Sequence, residues 1–576
     1  MPTVDFPADR TLTDIAAREW SFRRQHMVRE LGAHVPLKSA LPKLDPASQA
    51  EKLAFWTAII GELDVLNGHA LSPTGREDQL VLRQQVEALR LSQLYRDYER
   101  PFNAFTSFWD DTAASIREES FDHEHKYRDA IHMMYDLPRY FDEATANMKR
   151  GLERGFSQPK IIMPAVIRTI EAVLTQTPEQ TDYFRPFHTI PRTVPIEVRR
   201  ELVQKARTAI SEAVMPAYGR LLTFMRDVYA PNAMTKIAAA ELPDGPAYYR
   251  AKVREFTTLE MSPDEIYRLG LAEVESCNAH MLATVRESGF DGLLAEFLVF
   301  LKSEQQFYPT SPQDLLMRAA WITKRVEAKL DRFFDVLPRR RFAIEAVPDN
   351  IAPNYPMGTG APGLYLLNTF DLASRPLYLL PVLTLHEAVP GHCFQMSLAA
   401  ENLSRPPFRA QTYGIAYGNA WALYCEKRLG VEMGIYETPY ELFGMWSLLT
   451  LRAVRMVVDV GVHAKGWSYD RARDYMAEKT GLPMPVIEAE LTRYISWPGQ
   501  ALGYYLGMMT IERAREKSER MLGQAFDISA FHDRILALGP VPMTVVEDSI
   551  DRMITEHLDS QAKPEAQKTE DISCRQ

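Results

Sequence analysis

This chain has little that calls for covalent or lipid support. Its 576 residues include four cysteines, Cys277, Cys393, Cys425 and Cys574, and no CxxC pair. So few thiols exclude a disulfide framework and suit a reducing compartment. No window holds about 18 consecutive apolar residues, so no membrane span is expected. The opening Met1-Pro2-Thr3-Val4-Asp5-Phe6 lacks a basic stretch followed by an apolar one. No signal peptide is expected, and the expected location is cytoplasmic. Positive charge is also short: 66 Lys and Arg against 76 Asp and Glu leave a net charge of −10. That balance gives no electrostatic footprint for nucleic acid. The run Arg339-Arg340-Arg341 reads as a solvated face. No repeat of fixed period and no long low-complexity tract occurs.

What is present is ordinary globular material, 46% apolar and 25% charged. The length exceeds the roughly 250–300 residues at which one core stops growing, so two or more lobes are expected. Most of the chain reads at helical period. Leu202, Ala206 and Ile210 share a face after Pro195. Ser262-Pro263-Asp264-Glu265 is a capping-box pattern before Ile266 and Leu269. Ser311-Pro312 reads as another helix start. Two segments read as strands, Phe342 to Val347 and Gly363 to Thr369, with a Pro/Gly-rich loop from Asn354 to Pro362 before the second. The expected fold class is therefore mainly α with a small β-sheet just before the key motif. Leu242-Pro243-Asp244-Gly245-Pro246 is turn chemistry. It divides an N-terminal helical lobe (1–245) from a second lobe (246–560), or else is a surface loop in one continuous fold. The polar stretch 561–576 reads as a disordered tail.

The chemistry concentrates at His386-Glu387-Ala388-Val389-Pro390-Gly391-His392. In an HExxH zinc helix the two histidines sit at i and i+4, one turn apart, and share a metal. The intervening glutamate is the general base on the metal-bound water. Here the second histidine is at i+6. On an ideal helix that is about 240° of net rotation and about 9 Å of rise, too far for one ion. Pro390 cannot continue the helix, and Gly391 permits unusual backbone angles. Spacing alone leaves two readings open. Either Pro-Gly bulges and His392 returns to the ligand place, or the helix ends at Val389 and His392 merely starts a new segment.

That run resembles the HEAxPGH segment of the family labelled domain of unknown function 885, grouped with gluzincin-type metallopeptidases. Gln395 fits the usual continuation. The likeness extends through Leu242-Pro243-Asp244-Gly245 with Tyr248-Tyr249, Arg452-Ala453-Val454-Arg455 with Asp459, His463 and Gly466-Trp467, and Arg493-Tyr494. It continues in Trp497-Pro498-Gly499-Gln500-Ala501 with Tyr504, Phe531-His532-Asp533 and Gly539-Pro540-Val541-Pro542. The resemblance implies a gluzincin- or thimet-oligopeptidase-like helical scaffold with a deep cleft, in which 246–560 is the metallopeptidase-like lobe. It implies zinc held by His386 and His392, and Glu387 as base in hydrolysis of a peptide-like or small amide substrate. The strand at Gly363–Thr369 would lie beside the zinc helix and pair with an extended substrate.

The third ligand of such a site is a glutamate in a stretch like EGWAxYxE. Here that stretch is Asn419-Ala420-Trp421-Ala422-Leu423-Tyr424-Cys425-Glu426, with Asn419 in the ligand place. An amide oxygen is neutral and a poor zinc ligand, so metal affinity should fall. Glu426 is expected to fix a histidine tautomer behind the ligands, or to be a salt-bridged cleft carboxylate. Tyr504 and His463 are candidates for oxyanion stabilisation or proton transfer. Arg452, Arg455 and Gln500 are candidates for substrate binding, and the arginines equally for structural ion pairs. Trp421, Cys393 and Cys425 read as buried core. The expected function is a metal-dependent hydrolase. The alternative is a divergent relative with a weakened or lost zinc site, acting in a specialised biosynthetic step or as a binding protein. Oligomeric state is left open.

Overall fold

The computed structural model describes residues 6–28, 37–349, 352–410 and 414–573, without the side chains of 354 and 561–573. It is mainly helical with one three-stranded sheet among the described residues. Helices α1 (Pro7–His26), α2 (Pro46–Val65) and α3 (Pro73–Tyr95) open the chain, each with proline in its first turn. That position needs no intrahelical N–H, so proline starts a helix there without penalty. The expected capping box forms: the Ser262 hydroxyl accepts from the Glu265 N–H and opens α4 (Pro263–Glu287). Ser311 likewise caps the helix Pro312–Glu327. The expected helix after Pro195 runs Ile196–Ala209.

The sheet sits just before the motif. Strand β1 (Ala343–Ala346) pairs parallel with β3 (Leu364–Leu367), and β2 (Gly358–Ala361) pairs antiparallel with β3, giving the order β1-β3-β2. Two expectations change here. The Pro/Gly-rich segment is not all loop, because β2 forms within it. The strand expected to receive a substrate backbone, β3, is the middle strand with both edges taken. The free edge facing the motif belongs to β2.

The packing does not divide at residue 245. One core joins side chains of 12–86 and 156 with those of 239–554. A second core gathers 41 and 102–233. The three opening helices therefore complete the core that carries the motif, and the separate unit is the stretch between them and residue 239. The expected seam is bolted down by a histidine: the Ala239 N–H donates to His463 Nδ1 at 3.0 Å. The stretch 561–573, expected as part of a disordered tail, instead continues the last helix, α9 (Met543–Ser573). Its side chains are outside the described residues. Among the described residues no helix is long and apolar enough to cross a membrane.

Candidate active site

The motif breaks one helix into two. Helix α5 (Leu380–Glu387) ends at the glutamate, and α6 (His392–Glu401) starts at the second histidine. Between them Val389-Pro390-Gly391 bulges out. Gly391 is needed for a close approach: a Cβ there would sit 2.0 Å from the His386 carbonyl oxygen. The bulge is held from outside as well. Trp421, buried on α7 (Ile415–Tyr424), donates its Nε1–H to the Pro390 carbonyl at 2.8 Å. This role was not read from the sequence, where Trp421 looked like plain core.

The break brings the two imidazoles together. The His386 and His392 ring centres are 4.8 Å apart with planes at 89°. Both side chains are buried. The Nδ1 of His386 lies 2.5 Å from Glu426 Oε1. The carboxylate accepts from an Nδ1–H there, which leaves Nε2 as the ring nitrogen that could meet a ligand. Glu426 is fully buried, and Arg452 lies behind it with Nη2 at 3.6 Å. Glu426 enters the site from a π-helical turn, Cys425–Leu429, that follows α7.

Glu387 sits against the edge of the sheet. Its Oε2 accepts from the Gly360 N–H of β2 at 2.8 Å. A Cβ on Gly360 would come within 1.8 Å of the Glu387 carbonyl oxygen, so only glycine lets strand and helix touch. Burial pushes the Glu387 carboxyl above the usual range, against the pull of His386 and the Gly360 N–H. His392 is pushed well below the ordinary histidine range by burial and by His386 beside it. The centre is thus arranged around a neutral imidazole and a carboxyl that holds its proton more readily than a solvated one.

The other candidates divide. Asn419 lies on α7, which packs against both α5 and α6. Its Nδ2 donates back to the Ile415 carbonyl at 2.9 Å, so the amide oxygen is the atom left for any ligand. Helix α8 (Pro439–Lys465) brings Arg452 toward Glu426. Arg455, one turn on, donates to Glu490 at 2.9 Å and to the Tyr494 hydroxyl at 3.1 Å. The guanidinium of Arg455 covers the Tyr504 ring at 5.0 Å. Although burial works the other way, Arg455 and Arg493 hold Glu490 down to about 2. The Tyr504 hydroxyl makes no hydrogen bond among the described residues. Gln500 is taken up elsewhere, its Oε1 accepting from Arg493 at 2.7 Å. His463 is fully buried and both ring nitrogens are committed to backbone, Ala239 N–H on one side and the Tyr494 carbonyl at 2.9 Å on the other. It holds the fold rather than facing the centre.

The donor set can be tested against a zinc ion. Two imidazoles on one tetrahedral zinc, each bound at about 2.0–2.1 Å, place their ring centres roughly 5 Å apart. The observed separation fits. The third position does not offer a charge, and among the described residues no three His, Cys, Asp or Glu side chains gather as a metal group. The described residues therefore bring two buried imidazoles to a spacing that one zinc ion would fit, without an anionic third side chain beside them.

The model of the family described as bacterial protein of unknown function (DUF885) matches residues 27–550. The chain belongs to that family. As a solved structure, the "putative lipoprotein" from Colwellia psychrerythraea is similar to this DUF885 chain with a TM-score of 0.87 and 24% identity, over 96% of this chain and 100% of that one. A "putative lipoprotein of unknown function" from Shewanella oneidensis follows with a TM-score of 0.72 and 16% identity, over 95% and 99%. At these identities the likeness carries the fold alone. No curated protein matches.

Proposed function

We propose that this DUF885 chain is a hydrolase of peptide or small amide bonds, related to the gluzincin-type metallopeptidases and dependent on a weakly held divalent metal, zinc first. The observation that supports it most is the pair of perpendicular imidazoles at 4.8 Å with Glu387 in the same turn. His386, His392 and the Asn419 amide oxygen would hold the ion. Such an ion supplies Lewis-acid polarisation of a carbonyl and a more acidic water. Glu387, steadied by the Gly360 N–H, accepts the proton of the attacking water and returns it to the leaving amine. Its raised carboxyl pKa suits a group that must hold that proton in between. Glu426 keeps His386 in the tautomer whose Nε2 faces the site. The Tyr504 hydroxyl is free to donate to the oxygen on which charge develops. Arg452 balances Glu426 and would offer its charge to a substrate carboxylate.

A second reading has its own support. Asn419 removes the anionic ligand, and the desolvated Glu387 is already suited to metal-free acid–base work in a biosynthetic step. Metal analysis of protein purified without chelator separates the two. Near-stoichiometric zinc, with amide hydrolysis lost in Glu387→Gln, supports the hydrolase. No bound metal, with turnover of a screened substrate unchanged by chelator, removes it in favour of the second reading.

A further inference from the structure

A cavity of about 780 Å³ with no motif residue in its lining lies between α1, the first turn of α3 and the segment 404–408. That is within the range of small-molecule pockets, roughly 300–1,000 Å³. Part of its wall is apolar: Leu12, Ala16 and Trp20 from one face of α1, and Phe408 from the segment 404–408. Both acidic groups in the lining are already engaged. Asp9 accepts from the Ser72 N–H at 3.0 Å, and Asp78 is paired with Arg409 at 2.6 Å. The two cations are not. Lys38 Nζ is buried with no hydrogen-bond partner among the described residues. Arg24, close enough to depress Lys38 electrostatically, makes no ion pair among them either. Burial and Arg24 together push the Lys38 amine down to about 8. Asp78 is neutralised by Arg409, and Asp9 keeps its charge but pairs with neither cation, so two like charges at one end of the chamber lack an ion-pair partner among the described residues. A buried cation without a partner is costly, and an anion brought in by a ligand removes that cost.

We propose that this cavity binds a small organic monocarboxylate with an apolar, preferably aromatic body, its carboxylate on Lys38 and Arg24 and its body against Trp20, Leu12 and Phe408. The cations select the charge, and the walls select the body. The chamber is independent of Glu387 and its histidines.

The test is titration calorimetry on the full chain with 2-naphthoate and its neutral twin 2-naphthamide. One naphthoate site is expected, with the amide at least about tenfold weaker, the scale of a charge-assisted hydrogen bond. Lys38→Met should weaken naphthoate about tenfold and leave the amide unchanged. Arg24→Gln, at an exposed position, should weaken naphthoate about threefold and decides the matter if the Lys38 variant does not fold. Glu387→Gln should bind naphthoate as the parent does. The proposal is overturned by no naphthoate binding, by equal binding of acid and amide, by full affinity in both cation variants, or by loss of binding in Glu387→Gln.

Discussion

At the scale of single residues the site turns on one substitution and one hydrogen bond. Under the proposed function, Asn419 stands where a carboxylate would complete the ligand set. Asn419→Glu is expected to raise zinc retention against a chelator by about ten- to a hundredfold, the range over which even an outer partner matters. Unchanged retention, read by metal analysis after timed chelator challenge, would show that residue 419 does not face the ion. Glu426 works through His386, whose Nδ1 it holds at 2.5 Å. Glu426→Gln should therefore lower zinc affinity by about 10–100-fold, with the melting temperature followed alongside to separate this from unfolding. Glu387→Gln should keep its metal and lose about 10²–10⁴-fold in hydrolysis rate. Loss of metal together with rate would recast Glu387 as a ligand.

At the scale of elements, the decisive event is the break between α5 and α6. The Pro390-Gly391 pair was legible as a helix breaker, because proline's missing N–H acts locally. What holds the bulge was not legible, because Trp421 lies 31 positions along and looks like any buried indole. Trp421→Phe leaves the Pro390 carbonyl without its donor and should cost about 1–3 kcal/mol. A urea midpoint unchanged within error would mean that water takes over the bond. Strand β2 was missed for a related reason. Gly358-Thr359-Gly360-Ala361 has no apolar alternation, and its extended form depends on pairing with β3 and on contact with Glu387. The capping box at Ser262 and the helix start at Ser311 were legible because each cap's donor and acceptor are three residues apart. His463 misled for the opposite reason: its partners at 239 and 494 are far off in sequence, so a structural histidine looked like a catalytic candidate.

At the scale of the whole molecule, the mainly helical class was readable from periodicity, but the division of the cores was not. Turn chemistry at 242–246 marks a bend. It says nothing about which helices pack on which. Stability should depend on pH through buried histidines. Burial lowers His463 to about 4 and His532 to about 3. Both are neutral in the fold, while the unfolded chain takes up protons near pH 6.5. The unfolded state then binds more protons, so their contribution to stability is present above pH 6.5 and falls as pH drops toward 4 and 3. Denaturant midpoints measured from pH 7 to 4 should decline, and His463→Gln should flatten part of that decline. An equal slope in the variant would assign the acid sensitivity to other groups.

The core shared by residues 12–86 and 239–554 has a consequence for synthesis. The first three helices leave the ribosome early, yet the side chains that finish covering their apolar faces come last. At about 5–20 residues per second, the roughly 460 residues between Val86 and Ile554 take about 25–90 s to be made. Through that interval Trp20, Trp56 and Val86 wait with part of their covering surface still untranslated, while the 102–233 unit can already close on itself. The nascent chain therefore passes through a stage in which its middle is folded and its beginning is not. That is the stage at which a chaperone, or another nascent copy, finds apolar surface to hold.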